Sequence, residues 1–342
     1  MDSNAQTVLA DLRAKRYAPV YLLQGEETYY IDVISRFIEE NTLTEAERGF
    51  NQVILYGKET PVHVLLNHAR RFPMMAERQV VIVREAQELQ DLGKEAGQKL
   101  MLDYFRRPVP STILVLCHMH KTLDKRKELG KMAEQLTTCL TFKRLYDNQL
   151  PDFIEEHVAS RGCSIEGGAV RVLCESVGTD LSRMVTEIDK VLTAKAPGYR
   201  ITESDVMTQV GMSREFNVFE LQRALIAQDQ AKAVQIADYF SGNTRKNPLI
   251  MIVSFLYGFY SKLYALGSAS SNGDTAAVNA LKINSYAMRD YTTALSKYSV
   301  RKLAECVSLL KDADLRLKGV NSTSTDERQL LRELVTRLIR QV

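Results

Sequence analysis

Between residues 19 and 142, short apolar runs alternate with longer amphipathic stretches. The runs are Pro19–Leu23, Gln52–Leu55, Gln79–Val83, Thr112–Leu116 and Cys139–Phe142. They are almost continuously apolar and rich in β-branched residues, as strands covered on both faces must be. Strands alternating with helices predict an α/β domain over residues 1–143 built on a mostly parallel sheet.

The pattern changes near Phe142–Tyr146. Helical periodicity follows over Gln149–Ser160, Gly168–Val177, Asp180–Ala194 and Glu203–Gln209, the last opened by a capping sequence, Thr202-Glu-Ser-Asp205. These segments predict a compact helical domain over residues 144–211. From 212 to 342 the pattern is helical throughout. Leu330, Leu331, Leu334, Val335, Leu338 and Ile339 fall on one face of a terminal helix, and Leu303, Cys306, Val307, Leu310, Ala313 and Leu317 on one face of the helix before it. Polar stretches at Gly267–Gly273 and Gly319–Thr325 read as connections.

The first predicted strand leads into Val20-Tyr-Leu-Leu-Gln-Gly-Glu-Glu27, where a nucleotide-binding fold would carry its phosphate loop. That loop needs G-x-x-x-x-G-K-[ST], so that backbone amides, a lysine and a hydroxyl can hold phosphates and magnesium. Here one glycine, Gly25, precedes two carboxylates. Carboxylates suit the positive end of a helix but repel a phosphate there. The reading is of an ATPase relative that does not bind ATP, with no cofactor and no metal.

The chain has 342 residues, 45% of them apolar and 25% charged, enough for two or three domains with their own cores. It opens with neither a basic nor an apolar leader, and no apolar run nears the length of a membrane span, so a cytoplasmic protein is expected. Five scattered cysteines, at 117, 139, 163, 174 and 306, read as reduced and buried. Net charge is +3, with 18 basic against 12 acidic residues from Met212 onward. That basic final third hints at an acidic partner or a polyanion.

Several segments together resemble the delta subunit family of the bacterial DNA polymerase III clamp loader. They are Pro19–Glu27, Val177–Leu192, Ile201–Val206, Val218–Leu225, Tyr286-Ala-Met-Arg-Asp-Tyr291 and Leu309–Gly319, and they run in order nearly end to end. The resemblance implies an AAA+-like α/β domain, a helical lid and a C-terminal helical collar. It implies no catalytic site in this chain, which would serve a holoenzyme with polymerase activity. The implied partners are the sliding clamp, the other loader subunits through the collar, and primed DNA as part of the complex, with no membrane. Sister subunits carry a Ser-Arg-Cys arginine-finger motif; Ser182-Arg183 and Ser213-Arg214 here lack the cysteine.

The family places an exposed apolar pair after a helix, just before the third strand. In Arg70-Arg-Phe-Pro-Met-Met-Ala-Glu-Arg-Gln79 that pair is Met74 and Met75, flanked by Phe72 and Pro73. Methionine is flexible and polarisable enough to enter a partner's groove; the alternative is a loop whose methionines cap the core. Tyr286 and Arg289 share a helix face and combine an aromatic ring with a cation, which suits either an unpaired base and its phosphate or packing at the collar interface. Cys117-His-Met-His120 has metal-ligand residue types but no second pair at useful spacing. Glu85, beside Arg84, lacks the phosphate loop a magnesium carboxylate would serve. Lys121, Lys125, Arg126, Lys127 and Lys131 read as a solvated charged face. The rival functions are an ATP-dependent AAA+ enzyme with a divergent phosphate loop and a stand-alone DNA-binding protein.

Overall fold

The computed structural model describes residues 3–193, 195–209, 217–242, 247–320 and 326–340. The chain folds as two compact units, Met1–Leu145 and Tyr146–Val342.

The first unit runs α1 (Ser3–Arg13), β1 (Val20–Gly25), α2 (Thr28–Asn41), α3 (Glu45–Asn51), β2 (Gln52–Tyr56), α4 (Val62–Ala69), β3 (Gln79–Arg84), α5 (Glu95–Arg106), β4 (Thr112–Met119), α6 (Glu128–Leu136) and β5 (Thr138–Phe142). Its five strands form one parallel sheet in the order β2-β3-β4-β1-β5. Alternation along each strand sends Val20, Leu22, Val81, Val83, Leu114 and Leu116 to one face, where they pack with Leu65, Leu66, Met101, Phe105 and Leu129 from α4, α5 and α6. The opposite face meets α2. Fully burying a side chain such as Leu22 contributes about 1.5–3 kcal/mol, and the central strands are buried almost throughout.

All five predicted strands are present, with two differences. β1 and β4 extend past their apolar runs, pairing Gln24 with His118 and Gly25 with Met119. Gln24 and His118 interrupt the apolar pattern there, yet their polar groups are satisfied. Gln24 donates to Thr141 Oγ1 at 3.1 Å and accepts from the Leu123 amide at 2.8 Å, while His118 Nδ1 lies 2.9 Å from the Lys121 carbonyl. β2 departs the other way. It is the sheet edge, covered only in part, and leaves Ile54 and Tyr56 exposed.

The second unit runs α7 (Leu150–Ser160), β6 (Ser164–Ile165), α8 (Gly167–Val177), α9 (Leu181–Leu192), β7 (Arg200–Ile201), α10 (Glu203–Gln209), α11 (Val218–Ala227), α12 (Gln230–Gly242), α13 (Leu249–Ser271), α14 (Thr275–Ala280), α15 (Ser285–Leu295), α16 (Val300–Leu317) and α17 (Glu327–Arg340). The capping sequence at α10 is reciprocal: the Asp205 carboxylate accepts from the Thr202 amide at 2.9 Å, and Thr202 Oγ1 accepts from the Asp205 amide at 3.2 Å. The periodicity misses β6 and β7, a two-residue parallel pair too short to leave a pattern. The expected boundary at 211/212 and Ser213-Arg214 lie outside the described residues.

α13 is the spine of the larger core, with Val253, Leu256, Tyr260 and Leu263 buried against α16 and its neighbours. By length and composition it is the one described helix apolar enough to cross a membrane, which amends the expectation that no run approaches such a span. Ten of its residues are buried in the unit's interior. All five cysteines are free; Cys117, Cys174 and Cys306 are buried, and Cys139 and Cys163 are only partly covered.

Arg171 on α8 joins Asp290 on α15 at 3.1 Å and Glu203 on α10 at 3.6 Å. Glu175, one turn along α8, shares this setting. Burial pushes its carboxyl up to about 7; Asp290 and Glu203 add like charge, and Arg171 opposes the shift.

Two expectations follow. Gly25 has φ +130°, and a Cβ there would lie 2.0 Å from the Phe142 carbonyl oxygen. Gly25→Ala should therefore cost about 3 kcal/mol or more in denaturant unfolding of the first unit; a loss below about 1 kcal/mol would contradict this. Because the folded Glu175 holds its proton more tightly than the unfolded chain, its contribution is complete below about pH 4.5 and declines as pH rises to about 7. Glu175→Gln should remove about 1–2 kcal/mol of that decline, read as higher stability than wild type at pH 8 and parity at pH 4.

Candidate functional site

The strand–helix turn after β1 is closed by protein groups. The Gly25 amide donates to the Lys121 carbonyl at 3.2 Å, and the Glu27 amide to the Phe142 carbonyl at 3.3 Å. Glu27 caps α2 with its own carboxylate, which accepts from the Tyr29 amide at 3.0 Å and is 7% exposed. A phosphate here would meet a buried carboxylate and amides already engaged. Gly25 itself is explained by the approach of β5. At the end of β3, Arg84 turns to α2, donating to Ser35 Oγ at 2.8 Å and to Glu39 at 2.7 Å. Glu85 follows in a left-handed conformation that begins a short turn.

The loop between α4 and β3 is the most exposed apolar feature of the first unit. α4 ends against a buried polar anchor: the Gln79 side chain donates to the Ala69 and Arg71 carbonyls and to Thr112 Oγ1, and Thr112 donates to the Ala69 carbonyl at 2.9 Å. These bonds satisfy carbonyls at the helix end that lack an intrahelical partner. Beyond that anchor the chain turns outward. Phe72 is 81% exposed, Met74 62% and Met75 102%, and Pro73 is partly covered. The methionines do not cap the core.

The backbone under those side chains is held. Asn51, at the end of α3 and 2% exposed, accepts from the Met74 amide at 2.6 Å and donates to the Met74 carbonyl at 3.0 Å. Met75 then takes φ +54°, a left-handed conformation that costs a non-glycine residue about 1 kcal/mol or more. Sequence reasoning singled out the methionines and passed over Asn51. Its only signal is a polar residue between a helix and a strand, which alone indicates a turn.

The remaining candidates fall apart as sites. Tyr286 lies on α15 with its ring against Gly167 at the start of α8, where a Cβ would stand 2.6 Å from Cε1. Its hydroxyl donates to Glu155 on α7, which raises the phenol's pKa. Arg289 is exposed on the same helix. Cys117 and His118 are buried within β4, and no group of three or more His, Cys, Asp or Glu residues converges as metal ligands among the described residues. In the basic run, Lys121 pairs with Glu88, Lys125 with Glu134 and Arg126 with Asp124, as on a solvated face.

A five-stranded parallel sheet with helices on both faces, a closed turn where a nucleotide-binding fold carries its phosphate loop, and a following helical unit define an α/β protein with a helical C-terminal part. Residues 21–143 match the family described as DNA polymerase III, delta subunit. The chain is 26% identical to DNA polymerase III subunit delta of Bacillus subtilis, over 96% of this chain and 94% of that one. It is 25% identical to a probable DNA polymerase III subunit delta of Aquifex aeolicus, over 94% and 92%. In fold it matches the solved structure of the B. subtilis DNA clamp loader delta protein, with TM-score 0.63, 23% identity and coverage of 98% and 99%. The family model thus matches the first unit, and the similarity to the two delta-subunit relatives extends over nearly the whole chain.

Magnesium ATP, titrated into the purified chain to millimolar concentration, should leave its melting temperature unchanged. A saturable upward shift would restore the reading of an ATP-dependent enzyme.

Proposed function

We propose that this chain is the subunit of a bacterial clamp loader that grips the sliding clamp and helps hold it open for loading onto primed DNA. It does so through Met74 and Met75, with Phe72 and Pro73 beside them. The observation that carries the proposal is the outward projection of Met74 and Met75, 62% and 102% exposed, from a loop with an anchored backbone. Large apolar side chains clustered in the open mark an interaction site more often than scattered ones do. Burying the two methionines in a groove would contribute roughly 3–6 kcal/mol before ordering costs, enough to anchor a modest interface.

In the same reading, residues 144–211 act as a lid and 212–342 as a collar packing with other loader subunits, and the protein works in the cytoplasm. DNA is reached through the assembled complex. The seating of Tyr286 against Gly167 and Glu155 supports packing for that residue, and no DNA contact is assigned to the pair with Arg289.

Surface plasmon resonance of the isolated chain on the cognate clamp, without nucleotide, tests the reading. Wild type should bind, and Met74→Ala/Met75→Ala should bind at least about a hundredfold more weakly, from the apolar area lost. Its unfolding free energy should stay within about 0.5 kcal/mol of wild type, since both side chains are exposed. Equal binding by the double variant would move the site; absent binding by wild type would overturn the function.

A further inference from the structure

We infer that Asn51 is a positioning residue for the Met74–Met75 segment: its buried amide fixes the backbone of Met74, so that both methionines are presented before any partner arrives. The inference rests on the clamp-binding reading above and adds to it the residue that sets the shape of the site.

Three hydrogen bonds carry it. Asn51 Oδ1 accepts from the Met74 amide at 2.6 Å, and Nδ2 donates both to the Met74 carbonyl at 3.0 Å and to the Glu47 carbonyl at 3.0 Å. One side chain thus engages both backbone groups of Met74, and its second N–H ties it to the final turn of α3. With 2% exposure the side chain is locked, and its donors and acceptor are used in one arrangement only. Aspartate lacks the donors, serine and alanine lack the reach, and glutamine is longer by a methylene. The amide therefore specifies this geometry as few other side chains can.

The following residue shows why a clamp is needed. Met75 sits at φ +54° with its side chain wholly in solvent, so nothing it touches stabilises that conformation. Strained backbone persists where its surroundings over-determine it. Behind the loop, Gln79 and Thr112 fix the end of α4; ahead of it, Asn51 fixes Met74. Without Asn51 the four residues after Arg71 lose their described side-chain anchor and would sample many shapes. A binding segment that must be ordered on contact loses affinity to that ordering.

The test uses the full chain. Asn51→Ala should weaken clamp binding about tenfold in surface plasmon resonance. It should also speed hydrogen exchange at the Met74 amide, while β3 amides keep wild-type protection. Unchanged affinity with a deprotected Met74 amide would overturn the positioning role and leave the clamp-binding reading standing. Failure of wild type to bind the clamp would overturn both. If Asn51→Ala also deprotects β3, Asn51→Asp decides. Its carboxylate keeps the acceptor for the Met74 amide but faces the Met74 carbonyl with an oxygen, and wild-type affinity in that variant would likewise overturn the inference.

Discussion

The Phe142 carbonyl oxygen stands where a side chain at position 25 would be, and it also accepts the Glu27 amide. That close approach lets β5 lie against β1 to its last residue, pairing Gly25 with Phe142, and so completes the sheet on which both faces of helices pack. It also decides the chemistry of the turn. Amides that a phosphate-binding fold would aim at a nucleotide are used by backbone carbonyls, and the helix behind them is capped by a buried carboxylate. A unit built this way keeps the parallel-sheet architecture with its phosphate-loop position closed.

The exposed loop before β3 is anchored to this frame. Gln79 and Thr112 reach from the starts of β3 and β4 to the end of α4, and Asn51 reaches from the end of α3 to Met74. Each is a buried polar side chain at the boundary between an element and a loop, spending its hydrogen bonds on backbone. Polar groups in such positions are costly unless paired, and once paired they permit only one arrangement. The apolar side chains above them, Phe72, Met74 and Met75, stand exposed. Backbone anchoring and apolar exposure thus fall to different residues of one loop.

The second unit divides its labour otherwise. Its core is apolar and continuous from α11 to α17 around α13, and α8, besides its buried apolar residues, is joined to α10 and α15 by ion pairs of Arg171 with Glu203 and Asp290. Burial and the neighbouring carboxylates hold Glu175 beside them partly against its ionisation. Tyr286 adds a fitted contact there, its ring filling the space left by the absent side chain of Gly167.

The sequence by itself determined the five strands, most of the helices, the loss of the phosphate loop and the position of the methionine pair. These rest on local patterns: apolar runs for buried strands, periodicity for helices such as α16 and α17, and residue types at fixed spacing for the turn after β1. The edge position of β2 belongs to the tertiary structure, because an apolar run reads alike at the edge and the centre of a sheet. So do the polar extensions of β1 and β4, whose Gln24 and His118 become strand residues only once partners from distant segments satisfy them. Asn51 is the clearest case. Its partner lies 23 positions along the chain, and only after α3, β2, α4 and β3 have folded does a polar residue between a helix and a strand become the anchor of an exposed loop. Hydrogen bonds between residues far apart in sequence leave no periodic trace, so the tertiary structure alone decides them.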